Sequence, residues 1–162
     1  MAKLALVRVD GRLIHGATCM IWGSAVSADR IIGIDDVTAR NPMLKKITEA
    51  VAKNVPCKIM TIDEAVARWK EDQFGEGRVL VIFKTIDAAL TARIAGFDFT
   101  RLQIGSTLAR KDTKRLGDTF FVNQNDINLL TELSEKYRIE IYTQFSPQLQ
   151  AEPWETSIKA KF

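Results

Sequence analysis

Residues 4–16 read LALVRVDGRLIHG, a segment that decides the fold because it joins a buried strand to the turn that ends it. The apolar run over residues 4–7 is rich enough in branched side chains to predict a strand inside a sheet. Gly11 breaks this strand, and the apolar pattern over residues 20–26 predicts a helix. His15 is therefore expected at a strand-to-helix turn. In an open α/β sheet, such a turn lies at the carboxyl end of the strand, where ligands bind.

The rest of the chain alternates apolar runs with amphipathic segments. Residues 79–83 are uniformly apolar, which predicts a central strand covered on both faces. Residues 138–143 alternate polar and apolar side chains, which predicts a half-exposed edge strand. Four further strands are predicted over residues 30–34, 57–61, 100–105 and 119–122. Strand followed by helix, repeated with short connections, predicts one α/β domain over residues 1–162: a doubly wound, mostly parallel open sheet of about seven strands, with helices on both faces.

Helix signals occur between the predicted strands. Asn41-Pro42 opens a helix in which Leu44, Ile47 and Val51 share a face, and we expect that face to pack on the sheet. Trp22 and Trp69 are predicted to lie in the core, and the glycine-rich residues 73–77 are predicted to form a loop. Asn125-Asp126 are predicted to cap the start of a helix. Pro147 and Pro153 indicate an irregular tail.

The overall composition is that of an ordinary globular protein, since 46% of the 162 residues are hydrophobic and 27% are charged. Lysine and arginine outnumber aspartate and glutamate by 23 to 20, and the formal net charge of +3 is too small to favour nucleic-acid binding. Basic residues cluster at 110–115. This cluster predicts either a solvated loop, or a loop that covers a phosphate or docks an acidic partner.

Charged chemistry concentrates in residues 8–15, which hold two arginines, one carboxylate and the only histidine of the chain. Arg8 and Arg12 suit a phosphate because guanidinium groups match its oxygens in a bidentate fork. The unpaired N–H groups at the start of the following helix also favour an anion. Neutral imidazole can accept a phosphoryl group, so a phosphohistidine at His15 is the main hypothesis. The alternative is a histidine that only caps the helix or fills the turn.

Other classes of site find little support in the sequence. Cys19 and Cys57 do not form a Cys-x-x-Cys pair and are expected to be reduced thiols, and no set of metal ligands surrounds them. No Walker A or Gly-x-Gly-x-x-Gly motif is present, which argues against ATP as a phosphoryl donor, and no cofactor is predicted. The first residues lack the apolar core of a signal peptide, so the cytosol is the expected compartment.

Residues 8–16, followed by Trp22, resemble the signature of the IIB components of the mannose/fructose/sorbose family of the bacterial phosphoenolpyruvate-dependent sugar phosphotransferase system (PTS). The Asp35-Asp36 pair after the second predicted strand also fits the family. The resemblance implies that a IIA component phosphorylates His15, through Nδ1, and that His15 passes the group to a sugar held by the membrane components IIC and IID. It also implies a cytoplasmic protein that associates peripherally with a membrane permease.

Two segments depart from the family pattern at loops predicted to face the phosphate. Ala17 and Thr18 stand where the family usually has Gln and Val, and residues 103–106 read Gln-Ile-Gly-Ser where it usually has Asn-Val/Ile-Gly-Gly. The carboxylates of Asp35 and Asp36 are expected either to hold an arginine of the site or to cap a turn.

Within this hypothesis, the phosphoryl oxygens are neutralised by Arg12 and Arg8 and by the backbone N–H groups of Gly16, Ala17 and Thr18. Asp10 is expected to hold an arginine or the second ring nitrogen of His15, and Arg12→Ala to slow transfer by about 10² to 10³. Two other functions stay open: a hydrolase or isomerase of a phosphorylated metabolite with His15 as acid/base, and a phosphate-sensing domain. Exposed apolar residues near His15 would fit either a docked partner or a homo-oligomer.

Overall fold

The computed structural model describes residues 1–162. The strands are β1 (Lys3–Asp10), β2 (Arg30–Ile34), β3 (Cys57–Met60), β4 (Arg78–Phe83), β5 (Arg101–Ser106), β6 (Lys114–Leu116), β7 (Phe120–Val122), β8 (Glu140–Thr143) and β9 (Glu152–Pro153). The helices are α1 (Gly16–Ala25), α2 (Asp36–Arg40), α3 (Pro42–Val51), α4 (Ile62–Asp72), α5 (Ile86–Ala95), α6 (Gln124–Thr131) and α7 (Trp154–Ser157). A π-helical turn, Glu132–Lys136, extends α6, and a 3-10 turn, Lys159–Lys161, ends the chain. No helix has both the length and the apolar character that crossing a bilayer requires.

Seven strands form the main sheet, in the order β3-β2-β4-β1-β5-β8-β9. Every neighbouring pair is parallel except β8 and β9, which are antiparallel. The doubly wound α/β prediction is therefore confirmed. The chain places β2 and β4 on one side of β1 and β5 on the other, so the strand order reverses at β1. In such sheets the crevice at the reversal point is the usual ligand site.

Alternation along the strands builds two separate apolar clusters. The larger has 28 buried residues and lies where α4, α5 and α6 cover the sheet. The smaller has 10 buried residues and includes Trp22 of α1. All five side chains of residues 79–83 are 0% exposed, which confirms the prediction of a central strand. Trp69 packs against Phe74 and Phe97, in agreement with its predicted core position.

The carboxyl-terminal third differs from the predicted arrangement. The strand predicted at 119–122 forms as β7, but it pairs with β6 in a separate hairpin that includes part of the basic cluster. The seventh strand of the main sheet is β9, inside the tail that was expected to be irregular. Because β9 pairs with β8, the prediction of an edge strand at 138–143 is wrong, and Ile141, Tyr142 and Thr143 are buried. A strand of two residues is too short to produce a periodic pattern.

Helix α3 forms where predicted, with Asn41 capping the N–H of Leu44 and proline in the first turn. Its orientation differs from the prediction, because Leu44, Ile47 and Val51 are 41%, 58% and 37% exposed. The opposite face meets the sheet, where Glu49 accepts a hydrogen bond from the N–H of Ile59 at the outer strand β3. Amphipathic spacing shows which side of a helix is apolar, but not which side faces the sheet.

Two helix starts were missed or displaced in the prediction. Asp35 caps the short helix α2, which follows β2 directly. The N-cap of α6 is Asn123 rather than Asn125-Asp126, and Asp126 occupies the N3 position, where its side chain accepts the N–H of Asn123. The acceptor at N3 closes a reciprocal capping box, which fixes the start of the helix two residues earlier.

Candidate functional site

Asp10, the last residue of β1, is the centre of a buried polar network at the point where the strand order reverses. Its side chain is 1% exposed. Oδ2 lies 3.0 Å from both His15 Nε2 and Thr18 Oγ1, while Oδ1 accepts bonds of 3.0 Å from the N–H of Arg12 and from Ser106 Oγ. Burial alone would raise the pKa of Asp10, but the hydrogen bond from His15, the charge of Arg8 and the N–H of Arg12 together hold it below its usual value. The carboxylate is thus kept ionised.

The turn from Asp10 to His15 is held by one local hydrogen bond and by contacts with more distant residues. The N–H of Leu13 donates to the carbonyl of Asp10 at 2.8 Å, and buried Leu13 takes a left-handed conformation with φ of 59°. At Gly11 a Cβ would lie 2.7 Å from Leu108 Cγ, so the close approach of this neighbouring loop requires glycine. Ile14 is buried in the smaller apolar cluster and anchors the residue before His15.

His15 occupies the N-cap position of α1, but its side chain makes no capping hydrogen bond. Of the two structural roles considered as an alternative, capping the helix and filling the turn, the side chain of His15 does not perform the first. The ring is partly exposed, at 17%, and its Nε2 faces Asp10 Oδ2 and the Thr18 hydroxyl. An ionised carboxylate only accepts hydrogen bonds, so Nε2 carries the proton. Nδ1 is then the nitrogen with the free lone pair, and it has no hydrogen-bond partner within the chain.

The two arginines have different roles in the geometry. Arg8 is 7% exposed, and its Nε and Nη2 donate to Asp10 Oδ2 at 3.4 and 3.3 Å. Its Nη1 donates to Gln103 Oε1, and its Cζ lies 5.4 Å from the ring centroid of Trp22. Burial lowers the pKa of Arg8, against the opposing charge of Asp10. Arg12, by contrast, contacts Asp10 only by donating its backbone N–H to Oδ1. The guanidinium of Arg12 is exposed and forms no ion pair.

The start of α1 supplies the predicted N–H groups. The first helical bond runs from the N–H of Cys19 to the carbonyl of His15, so the N–H groups of Gly16, Ala17 and Thr18 have no partner in the helix. Gly16 and Ala17 are exposed, whereas Thr18 is buried with its hydroxyl on Asp10. The side chain of Thr18 therefore belongs to the carboxylate network rather than to an anion site.

A cavity of about 640 Å³ opens above these residues. One wall is the turn with Arg8, Asp10, Arg12 and His15, and the others come from residues 116–120, from residues 143–146, 149, 150 and 152, and from Lys161. Trp22 also lines this cavity, so it contacts the site as well as the core.

Residues 103–106 were predicted to lie at a loop that faces the phosphate, with no role given to any of them. In the structure they belong to strand β5, Gln103 is fully buried, and Gln103, Gly105 and Ser106 support the site from that strand. At Gly105 a Cβ would overlap the guanidinium of Arg8, so glycine makes room for that side chain. A usable signal was present, because Gln103 is a polar residue between two apolar neighbours of a buried strand.

Two groups that were considered as possible parts of the site, the Asp35-Asp36 pair and the basic cluster 110–115, form contacts elsewhere in the structure. Asp35 caps α2 through the N–H of Thr38, and Asp36 accepts the N–H of Ile62, so both carboxylates cap turns rather than hold an arginine of the site. The cavity is lined by residues on both sides of the basic cluster, Ser106 before it and Leu116 after it, but by none of residues 110–115, so the cluster does not line the site. Three of them bind within the chain: Arg110 to Asp126, Arg115 to Asp118, and Lys114 to the carbonyl of Phe162.

The cysteine thiols do not add a nucleophile to the site. Burial raises the pKa of Cys19, and it raises the pKa of Cys57 to about 12. Both thiols are therefore protonated and unreactive at neutral pH.

Over residues 4–161 the sequence matches the family model described as PTS system sorbose subfamily IIB component. The chain belongs to this family. A related IIB component, the sorbose-specific EIIB component of Klebsiella pneumoniae, is 25% identical over 134 residues, which cover 82% of each chain. The crystal structure of manxB from Thermoanaerobacter tengcongensis superposes with a TM-score of 0.89 at 28% identity, covering 100% of this chain and 98% of that one.

Another relative is a longer protein named as a combined EIIAB component. The mannose-specific EIIAB component of Escherichia coli strain K12 is 21% identical over 134 residues, which cover 82% of this chain but 42% of that longer protein. PTS IIB components work with IIA and with IIC and IID components, and they are phosphotransferases in the general sense. Family membership therefore favours a phosphoryl carrier over an enzyme of phosphorylated metabolites.

Proposed function

We propose that His15 is the phosphoryl-carrying residue of this IIB component and that the group is attached at Nδ1. The observation that carries the proposal is the contact of His15 Nε2 with ionised Asp10, which leaves the Nδ1 lone pair free. The donor is a phosphohistidine of a IIA component, and the acceptor is a sugar held by IIC and IID. We place the protein in the cytoplasm beside these membrane components and regard residues 1–162 as one IIB domain.

The first transfer is an in-line displacement between two imidazoles. The bond from phosphorus to the donor nitrogen breaks, its electron pair returns to the donor ring, and the lone pair of His15 Nδ1 forms the new bond. The proton on Nε2 stays in place, so the phosphorylated ring carries a positive charge that Asp10 stabilises at 3.0 Å. In the second transfer the oxygen of a sugar hydroxyl bonds to phosphorus and its proton is released, while the bond from phosphorus to Nδ1 breaks and its electron pair returns to the ring, which keeps the proton on Nε2.

The charges around His15 suit the phosphoryl oxygens. The guanidinium of Arg12 lines the cavity and has no other anion to bind. We assign Arg12, with the N–H groups of Gly16, Ala17 and Thr18, to the phosphoryl group, because preorganised donors stabilise the charge that develops during transfer. Arg8 also lines the cavity, but its three donated bonds go to Asp10 and Gln103, so we assign it mainly to holding the carboxylate.

Phosphorylation of the purified protein tests this function. The chain is incubated with phosphoenolpyruvate, the general phosphotransferase proteins and a mannose-family IIA component, and its intact mass is measured before and after mild acid. We expect the mass of one phosphoryl group, lost in acid because phosphoramidates hydrolyse readily, and no gain in His15→Gln or without phosphoenolpyruvate. A gain that survives in folded His15→Gln, or no gain in the wild type with an active donor, would contradict the proposal.

A further inference from the structure

We infer that Gln103 is a positioning residue of the transfer site, which holds Arg8 against Asp10 and thereby keeps Asp10 in place for His15. The inference rests on the proposed function of His15 and deepens it. Gln103 is 0% exposed and does not line the cavity, so it can touch neither a phosphoryl group nor a partner protein. Any effect it has on transfer must pass through its neighbours.

Burying the polar side chain of Gln103 is unfavourable unless its amide forms hydrogen bonds. It lies on β5 between Leu102 and Ile104, and the strand register places it beside Arg8 on β1 and Tyr142 on β8. Its Oε1 accepts from Arg8 Nη1, whereas its Nε2 has no hydrogen-bond partner. A buried amide with one unpaired group is unfavourable in the interior. The hydrogen bond from the charged guanidinium of Arg8 to Oε1 offsets this unfavourable burial.

Gln103 completes the set of acceptors that holds the guanidinium of Arg8. Nε and Nη2 of Arg8 donate to Asp10 Oδ2 at 3.4 and 3.3 Å, and Nη1 donates to Gln103 Oε1. The missing side chain of Gly105 leaves the space that the guanidinium fills, and Trp22 covers it. Without the acceptor oxygen of Gln103, one N–H donor of Arg8 would be buried and unpaired, and the guanidinium would move toward the open cavity.

That movement would alter Asp10, because Oδ2 is shared among Arg8, His15 and Thr18. With the positive charge further away, Asp10 binds a proton more readily and holds the His15 ring less firmly. Besides His15, the other ionisable groups that face this pair are Arg12 on the same turn, Cys19 on α1, Tyr142 beside Arg8, and Asp118, Glu152 and Lys161 around the cavity. Of these groups only Tyr142 neighbours Gln103, as its register partner on β8.

The test uses full-length variants that separate the acceptor oxygen from side-chain volume. Gln103→Met keeps the length but removes the acceptor, and Gln103→Glu keeps an acceptor oxygen. We expect Gln103→Met to lower kcat for transfer from phosphorylated IIA by about tenfold, with KM changed by less than about twofold. In a plot of kcat against pH, we also expect the fall in rate on the acid side to occur at higher pH than in the wild type. Gln103→Glu is expected to restore kcat to within about threefold of the wild type.

Ile104→Val is the matched control, because Ile104 is equally buried on the same strand but packs in the larger apolar cluster, away from Arg8. It should lower Tm while leaving kcat and the acid limb unchanged. Gln103→Val provides a second variant without an acceptor if Gln103→Met does not fold. In an Arg8→Met background, Gln103→Met should have no further effect on kcat.

The inference and the proposed function fail in different ways. If the wild type accepts a phosphoryl group and Gln103→Met matches its kcat and acid limb, the inference is overturned and the function stands. If the wild type accepts no phosphoryl group, the proposed function fails. Nitrogen-15 NMR of the unphosphorylated protein still tests whether Gln103 holds Arg8 in place. The Nε–H signal of Arg8 should be sharp in the wild type and in Gln103→Glu but broadened in Gln103→Met. An unchanged signal in Gln103→Met would overturn the inference.

Discussion

The two faces of the main sheet differ in what they bury. On the face covered by α4, α5 and α6, strand β1 contributes Val7 and Val9 to a cluster of 28 buried apolar residues. On the other face the same strand contributes Leu6 to a cluster of 10, and Arg8 beside it is buried against Trp22 and Gln103. One strand thus builds the core with one set of alternating residues and the site with the other. The comparison shows that burial on one face serves stability alone, whereas on the other face it serves both stability and the placement of charge.

The largest effect on the site face is expected from Asp10→Asn. An amide cannot both fix the Nε2 tautomer of His15 and balance the charge of buried Arg8, so transfer from phosphorylated IIA should slow by about 10³-fold. Single-turnover transfer rates measure the change, with circular dichroism to verify the fold. A rate within threefold of the wild type would show that the carboxylate has no part in transfer.

Leu130→Ala is the corresponding change in the larger cluster. Leu130 is fully buried on α6, and its truncation should reduce the free energy of unfolding by about 2–5 kcal/mol through lost burial and a residual cavity. Urea denaturation measures the loss. Transfer per folded molecule should stay at the wild-type rate, and a parallel fall in that rate would mean that the two faces are coupled.

Arg12→Ala should slow transfer by about 10²-fold, because a free guanidinium beside His15 is lost without any change in the carboxylate network. The control is Arg115→Ala, since Arg115 pairs with Asp118 at the exposed hairpin and does not line the cavity. Its transfer rate should be within about twofold of the wild type. Equal effects of the two substitutions would indicate general attraction to IIA rather than a specific contact.

The pH dependence of stability separates the faces further. The folded state holds the pKa of Asp10 below its usual value of about 4, so its contribution to stability is fully present above that pH and is lost as the pH falls through the lower folded value. The difference in Tm between the wild type and Asp10→Asn should therefore shrink toward zero as the pH is lowered below about 4. A difference that is constant from neutral to acid pH would exclude an ionised Asp10 in the folded state.

The smallest effect is expected on the outer side of α3. Ile47 is 58% exposed, so Ile47→Gln should change the free energy of unfolding by less than about 0.5 kcal/mol. Ile59→Ala, a buried change in the smaller cluster, should cost about 2–5 kcal/mol under the same denaturation conditions. A large loss in Ile47→Gln would mean that this helix packs through its apolar face after all.

The sequence alone was enough to predict the main elements around the larger apolar cluster and the segment that contains His15. The apolar run over residues 79–83 and the glycine that follows β1 are both visible in the local sequence, although what requires glycine at position 11 is the close approach of Leu108 from a distant loop. The contacts of Asp10 with Ser106 and of Arg8 with Gln103 join residues more than 90 positions apart. They depend on the parallel register of β1 and β5, which strand patterns do not specify.

The outward face of α3 and the pairing of β9 with β8 were unpredictable for a related reason. Both are decided by tertiary packing, with Glu49 at the outer strand β3 in one case and a two-residue strand in the other. Their local sequences are compatible with more than one arrangement.

The site of phosphorylation on the ring is the most direct test of how Asp10 and His15 work together. Because His15 is the only histidine, protein labelled with nitrogen-15 histidine gives a single set of imidazole signals. Correlated nitrogen-15 and phosphorus-31 NMR of the phosphorylated protein identifies the bonded nitrogen. We predict that phosphorus couples to Nδ1 while Nε2 keeps its proton. Coupling to Nε2 would contradict the assignment of Asp10 as the group that holds that nitrogen.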